Sequence, residues 1–200
     1  MVVMTAGDFA LTAAALHGEW WRLWTGHLVH YDLGHLITNA VAIAVPLALV
    51  DMRERRRLLL AMPIIAPALS VLLLACARFD EYRGASGLAL AVWAGAGLTL
   101  ARSGADRDRG TGYALLVIAV AKLAAEAAGT GHVWNAVAAL PLAHMAGFLA
   151  GLLVANGVRR PRRAPHTRSE RYCAGTYVGS AVVLSITEPY AVTRPVPEIT

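Results

Sequence analysis

The sequence predicts an all-α membrane protein, a bundle of five transmembrane helices, and three observations carry that reading. The chain is apolar for its 200 residues, with 57% hydrophobic and only 16% charged side chains, more apolar than soluble domains of this size usually are. Its apolar residues fall in blocks at 33–50, 58–77, 85–100, 113–128 and 133–154, near the roughly 17 to 25 residues that a membrane span requires. Within the blocks Ala, Leu and Val run on without period-2 alternation. That pattern excludes a membrane barrel and leaves helices, which satisfy their own backbone groups in lipid.

The charges orient the spans. Eighteen basic residues, all but Lys122 arginine, stand against 13 acids, for a net charge of +5. Arg53, Arg55, Arg56 and Arg57 follow the first block, Arg102, Arg107 and Arg109 the third, and Arg159, Arg160, Arg162 and Arg163 the fifth. These ends are expected to be cytoplasmic, with Trp20, Trp21, Trp24 and Trp134 at the external interface. Arginines bunched between apolar blocks point to membrane topology and away from nucleic acid. Cys76 and Cys173 are too few for a disulfide framework.

The ends of the chain differ from its middle. Residues 1–17 contain Asp8 and too few apolar residues for a span. They lack a basic n-region and a cleavage site, so they do not read as a signal peptide. We read them as a truncated N-terminal segment. Residues 155–200 turn to Arg, Pro, Ser and Thr, and their apolar run at 178–186 cannot cross a bilayer, so they read as a basic, disordered cytoplasmic tail. The transmembrane domain is then 18–154.

Four polar positions could carry chemistry. Gly84-Ala85-Ser86-Gly87 stands where the external loop gives way to the third block. About 16 apolar residues, or roughly 24 Å of helix, follow before Arg102, less than a ~30 Å hydrocarbon core. A serine at a recessed helix N-terminus, flanked by Gly84 and Gly87, suits a nucleophile with backbone N–H groups free to bind an oxyanion. His144 lies about ten residues inside the last block, and Gly147 and Gly151 share its helical face. An ionisable group at that depth is a functional candidate. Together Ser86 and His144 make the nucleophile and base of a hydrolase dyad. His35 and Asn39, four residues apart on one face, both offer donors to an oxyanion.

Structural readings stand beside these. Ser86 reads equally as an N-cap among small residues, His144 as a neutral ring bonded across the bundle, and His35 with Asn39 as polar glue between helices. His27, His30 and His35 suggest a metal site, but there is no His-Glu-x-x-His motif and no cysteine nearby, so they read as residues ordering a loop. Lys122 and Glu126, an i, i+4 pair, read as neutralising each other, with no chemistry assigned.

These residues resemble a known family. Glu19-Trp20-Trp21-Arg22, His27-Leu28-Val29-His30 and His35-Leu36-Ile37-Thr38-Asn39 are similar to the Trp-Arg loop and His-x-x-x-Asn helix of rhomboid proteases. Gly84-Ala85-Ser86-Gly87 resembles their Gly-x-Ser motif, and Ala143-His144-Met145-Ala146-Gly147 with Gly151 their last catalytic helix. Within the family, the run from Gly18 to His27 and Tyr82-Arg83-Gly84-Ala85-Ser86-Gly87 look like the rhombosortase branch.

The resemblance implies a rhomboid-like bundle whose first core helix is truncated or absent. It implies an intramembrane serine endopeptidase of the bacterial inner membrane, opening to the extracytoplasmic side and using no metal or cofactor. Its substrates would be membrane-anchored proteins, those with a C-terminal Gly-Gly sorting helix included. Ser86 would be nucleophile and His144 base. His35, Asn39 and the Ser86 backbone N–H would be oxyanion donors, and Trp21 and Arg22 would shape the loop. Two alternatives remain open on sequence: an inactive rhomboid-like protein that binds client helices, and a His-lined metal transporter.

Overall fold

The computed structural model describes residues 6–129 and 141–157. Trp134, most of the tail and the start of the fifth block lie outside the described residues. After two 3-10 turns, Ala6–Phe9 and Ala13–His17, come a one-turn helix α1 (Arg22–Thr25) and five longer helices: α2 (Leu33–Leu49), α3 (Met52–Cys76), α4 (Ser86–Ala101), α5 (Asp106–Ala127) and α6 (Pro141–Asn156). The described residues form no sheet, only one isolated bridge between Leu11 and Tyr82. α3 and α5 are long and apolar enough to cross a membrane, whereas α2, α4 and α6 are shorter apolar helices.

Two helices begin earlier than their apolar blocks. α3 starts at Met52, where Asp51 accepts the backbone N–H of Glu54 at 2.8 Å, so a capped and charged first turn carries the helix beyond its apolar part. α5 starts at Asp106, with Asp106 and Asp108 in its first turn, where carboxylates meet the positive end of the helix dipole. Hydropathy marked the part of each helix that prefers lipid, and the helices themselves run further.

α4 is the centre of the bundle: Gly87–Val92, Ala94–Gly97 and Thr99–Ala101 are buried. It packs most extensively on α6 and α5, then on α2 and α3. Helices in lipid gain nothing from hiding apolar surface from one another, so close packing of small residues must hold them. A Cβ on Gly147 would run into the carbonyl of Gly87, and one on Gly151 into that of Ala91, so α4 and α6 touch backbone to backbone. A Cβ on Gly112 of α5 would likewise run into the backbone around Gly97 and Ala101.

Proline and tryptophan share a second device. Pro46 in α2 has no N–H, which leaves the Ala42 carbonyl without its helical partner, and Trp93 of α4 donates its indole N–H there at 2.7 Å. Pro67 in α3 frees the Pro63 carbonyl in the same way, and Trp24 donates to it at 2.9 Å. Each pairing joins two elements through a carbonyl that an uninterrupted helix would have used.

The arginine-bearing helix ends lie together. Arg55 donates to Leu47 O at 2.9 Å, Arg57 to Val154 O at 2.6 Å and Arg102 to Asn156 Oδ1 at 2.7 Å. Glu54, buried beside them, accepts from Thr99 Oγ1 at 2.9 Å and pairs with Arg57 at 3.1 Å. The other end of the bundle holds the N-termini of α2, α4 and α6.

Candidate active site

Three tethers hold the segment before α4. Leu11 and Tyr82 exchange both backbone hydrogen bonds, at 3.0 and 2.9 Å, and Gly84 N–H donates to Gly26 O at 2.9 Å. Arg83 pairs with Glu81 at 2.7 Å and lies over the Tyr31 ring at 5.3 Å. The residues before Tyr31 are held in turn. Arg22 is buried, ion-paired with Glu19, and donates to the carbonyls of Gly7 at 3.0 Å and Ala10 at 2.8 Å, while Thr25 donates to Phe9 O at 2.8 Å. Trp21 stays partly exposed beside Trp20. Residues 6–17 are therefore built into the scaffold around Ser86, with Leu11 wholly buried against Leu73, Tyr82 and Ala143. Sequence patterning gave no sign of this, because a one-residue bridge has no periodicity.

Gly84 marks where α2 meets that segment. Its φ is +122°, a conformation glycine adopts without strain, and a Cβ there would lie 2.6 Å from His35 Cε1 and 3.4 Å from Asn39 Nδ2. The side chains of His35 and Asn39 thus reach the backbone two residues before Ser86. Asp32 caps α2 by accepting the His35 N–H at 2.8 Å, and the His35 ring stacks on Tyr31 and meets His30 edge-on at 5.1 Å. Asn39 is only 5% exposed, and its Nδ2 has no hydrogen-bond partner among the described residues; neither has His35 Nδ1.

Ser86 opens α4 with no side-chain cap ahead of it. Its neighbour Gly87 packs on Ala143 and Gly147, which flank His144, so Ser86 and His144 sit on facing helices at one level. His144 is buried, and its Nδ1 lies 2.8 Å from Glu126 Oε2, within hydrogen-bond distance. Sequence reading kept Glu126 for Lys122, which it does contact, and missed this second bond. The available signal was an acid near the external end of its span, where an unexplained ionisable group marks function by default.

Tyr82, four residues before Ser86, is buried. Burial pushes its phenol up to about 12, against the opposing pull of the Ser86 side chain and the Gly87 backbone, although neither meets the hydroxyl in hydrogen-bond geometry. His27 and His30, in the loop before α2, part ways. His27, edge-on to Tyr82 at 5.4 Å, uses Nε2 on Ala66 O at 2.9 Å and Ser70 Oγ at 3.0 Å. A carbonyl can only accept, so that nitrogen carries the proton. Burial lowers the His27 pKa to about 4, against the raising effect of the Ala66 carbonyl. His30 turns to Leu28 O at 3.1 Å, and burial lowers its pKa too.

A helical membrane protein with a half-buried serine, a buried histidine and two further polar side chains at one end of its bundle is the class that fold and site define. A family model described as the Rhomboid domain matches residues 17–161, and the chain belongs to the rhomboid family. That family comprises intramembrane serine proteases and inactive relatives. No curated protein matches the chain.

Proposed function

We propose that this protein is an intramembrane serine endopeptidase working through a Ser86/His144 dyad. The observation that carries the reading is the unpartnered amide of Asn39, 5% exposed and beside Gly84. A buried donor without an acceptor costs about 1 to 3 kcal/mol, and a transient oxyanion explains that cost. Ser86 Oγ attacks the scissile carbonyl, and His144 takes its proton and returns it to the leaving amine. The oxyanion is held by Asn39 Nδ2, His35 and the Ser86 backbone N–H.

In this reading the five helices lie in a bacterial inner membrane with the arginine-bearing end cytoplasmic and the chemistry open to the external side, as the distribution of arginine supports. Residues 18–154 are the protease domain and 155–200 a cytoplasmic tail. The rhombosortase-like residues Gly18 to His27 and Tyr82 to Gly87 support membrane-anchored substrates with a C-terminal Gly-Gly helix. A peptide bond in an intact helix is shielded, and each glycine lowers the cost of unwinding by roughly 1 kcal/mol relative to alanine.

The test joins a fluorophosphonate probe with co-expression of C-terminally anchored candidate substrates. Labelling at Ser86, and substrate release lost in Ser86→Ala at unchanged protein level, are expected. Absence of labelling together with release by Ser86→Ala defeats the protease reading, and client binding without labelling marks an inactive relative.

A further inference from the structure

We infer that Glu126 belongs to the same site as a positioning residue for His144, an inference that rests on the Ser86/His144 reading. Glu126 is the penultimate residue of α5, and His144 stands in the first described turn of α6. The Nδ1···Oε2 distance is 2.8 Å, and each side chain is 5% exposed. The second carboxylate oxygen is engaged by Lys122, one turn earlier on α5. The carboxylate is thus divided, one oxygen to a cation and the other to the ring of the proposed base.

The division has a chemical consequence. A neutral imidazole has one N–H and one lone pair. An acceptor at Nδ1 selects the tautomer with the proton there and leaves the lone pair on Nε2, the only arrangement in which the ring can take a proton from Ser86. When Nε2 receives that proton the ring becomes cationic, and the carboxylate stabilises it. The proton then passes from Nε2 to the leaving amine, while the Nδ1 proton stays on the ring and Glu126 stays ionised throughout. A carboxylate alone in this apolar setting would be costly, and Lys122, half-exposed at the helix end, supplies its counter-charge. Glue between α5 and α6 would be served by any acceptor on any donor. Here the bonded atom is the ring nitrogen that sets the base.

The test uses the full-length protein in detergent, with a fluorophosphonate as probe and 15N-histidine NMR as the second readout, the His144 signals being assigned by their loss in His144→Ala. In the wild type His144 should carry its proton on Nδ1. Glu126→Gln puts an amide that can donate opposite Nδ1, so the maximal labelling rate at Ser86 should fall by about 10²-fold or more with half-saturation unchanged. The Nδ1–H signal should weaken with it. Glu126→Asp should recover part of both. A labelled wild type whose rate and tautomer are indifferent to Glu126→Gln overturns this inference and leaves the hydrolase reading standing. A wild-type Ser86 that takes no probe overturns the hydrolase reading itself. Should Glu126→Gln not accumulate, the wild-type spectrum decides, because a proton on Nε2 overturns the inference alone.

Discussion

The buried polar groups at the two ends of the bundle are paired to different degrees, with Arg57 Nε the unpartnered atom in the network of Glu54, Thr99 and Arg57. At the arginine-bearing end Glu54 is used up: its carboxylate takes Thr99 and Arg57, and Arg57 goes on to Val154 O. At the other end Asn39 Nδ2, His35 Nδ1, His30 Nε2 and Tyr82 Oη have no hydrogen-bond partner among the described residues. Paired polar groups in an apolar interior act as glue, and their loss costs stability. Unpaired polar atoms gathered at one place are what the proposed site would offer to a passing substrate.

Substitutions can break or sharpen that contrast, and the largest effect is expected at the paired end. Glu54→Ala leaves Arg57 and Thr99 unmatched in the interior, which costs about 3 to 5 kcal/mol for a broken buried pair. Detergent unfolding should show the loss, with the Ser86 labelling rate of the surviving folded protein unaltered. Asn39→Ala should do the reverse. Removing one oxyanion donor costs about 10²-fold to 10³-fold in turnover, while stability holds or rises because an orphaned donor has gone. A collapse of expression in Asn39→Ala, measured by membrane yield, would return Asn39 to the role of glue.

His27 lies between the two cases, bonded through Nε2 and unpartnered at Nδ1. Its folded pKa of about 4 lies below the ordinary 6.5, so between those values the unfolded chain binds the extra proton. Stability is full above about 6.5 and falls as pH drops towards 4, by about 3 kcal/mol for a shift of this size. Unfolding followed from pH 7 to pH 4 should show that slope, and His27→Gln should flatten it. The smallest effect belongs to Trp93→Phe, which strands the Ala42 carbonyl at about 1 to 3 kcal/mol. A thermal shift of that order, with activity retained, would class the indole with the paired groups.

Much of this was legible in the sequence, because some properties are written locally and others are not. Runs of Ala, Leu and Val announce apolar helices, and His35, Asn39, Ser86 and His144 announce themselves as polar residues where lipid disfavours them. Hydropathy cannot see where a helix starts in polar sequence, so the Asp51 cap and the Asp106 turn went unread. Nor can it see a partner distant in the chain. The indole of Trp93 on Ala42 O depends on which face of α4 turns to α2. The second bond of Glu126 depends on where α6 passes α5, and the i, i+4 lysine supplied a sufficient local explanation that concealed it.

The bridge between Leu11 and Tyr82 makes the early part of the chain a mechanical element. Two backbone hydrogen bonds join Leu11 to a residue four positions ahead of Ser86, and the carbonyls of Gly7, Phe9 and Ala10 are tied to Arg22 and Thr25. Tension applied to the chain before Leu11 is therefore not dissipated in a slack tether. It divides between α1 and the segment that leads into Ser86, so a load at that end reaches the start of α4 through backbone bonds.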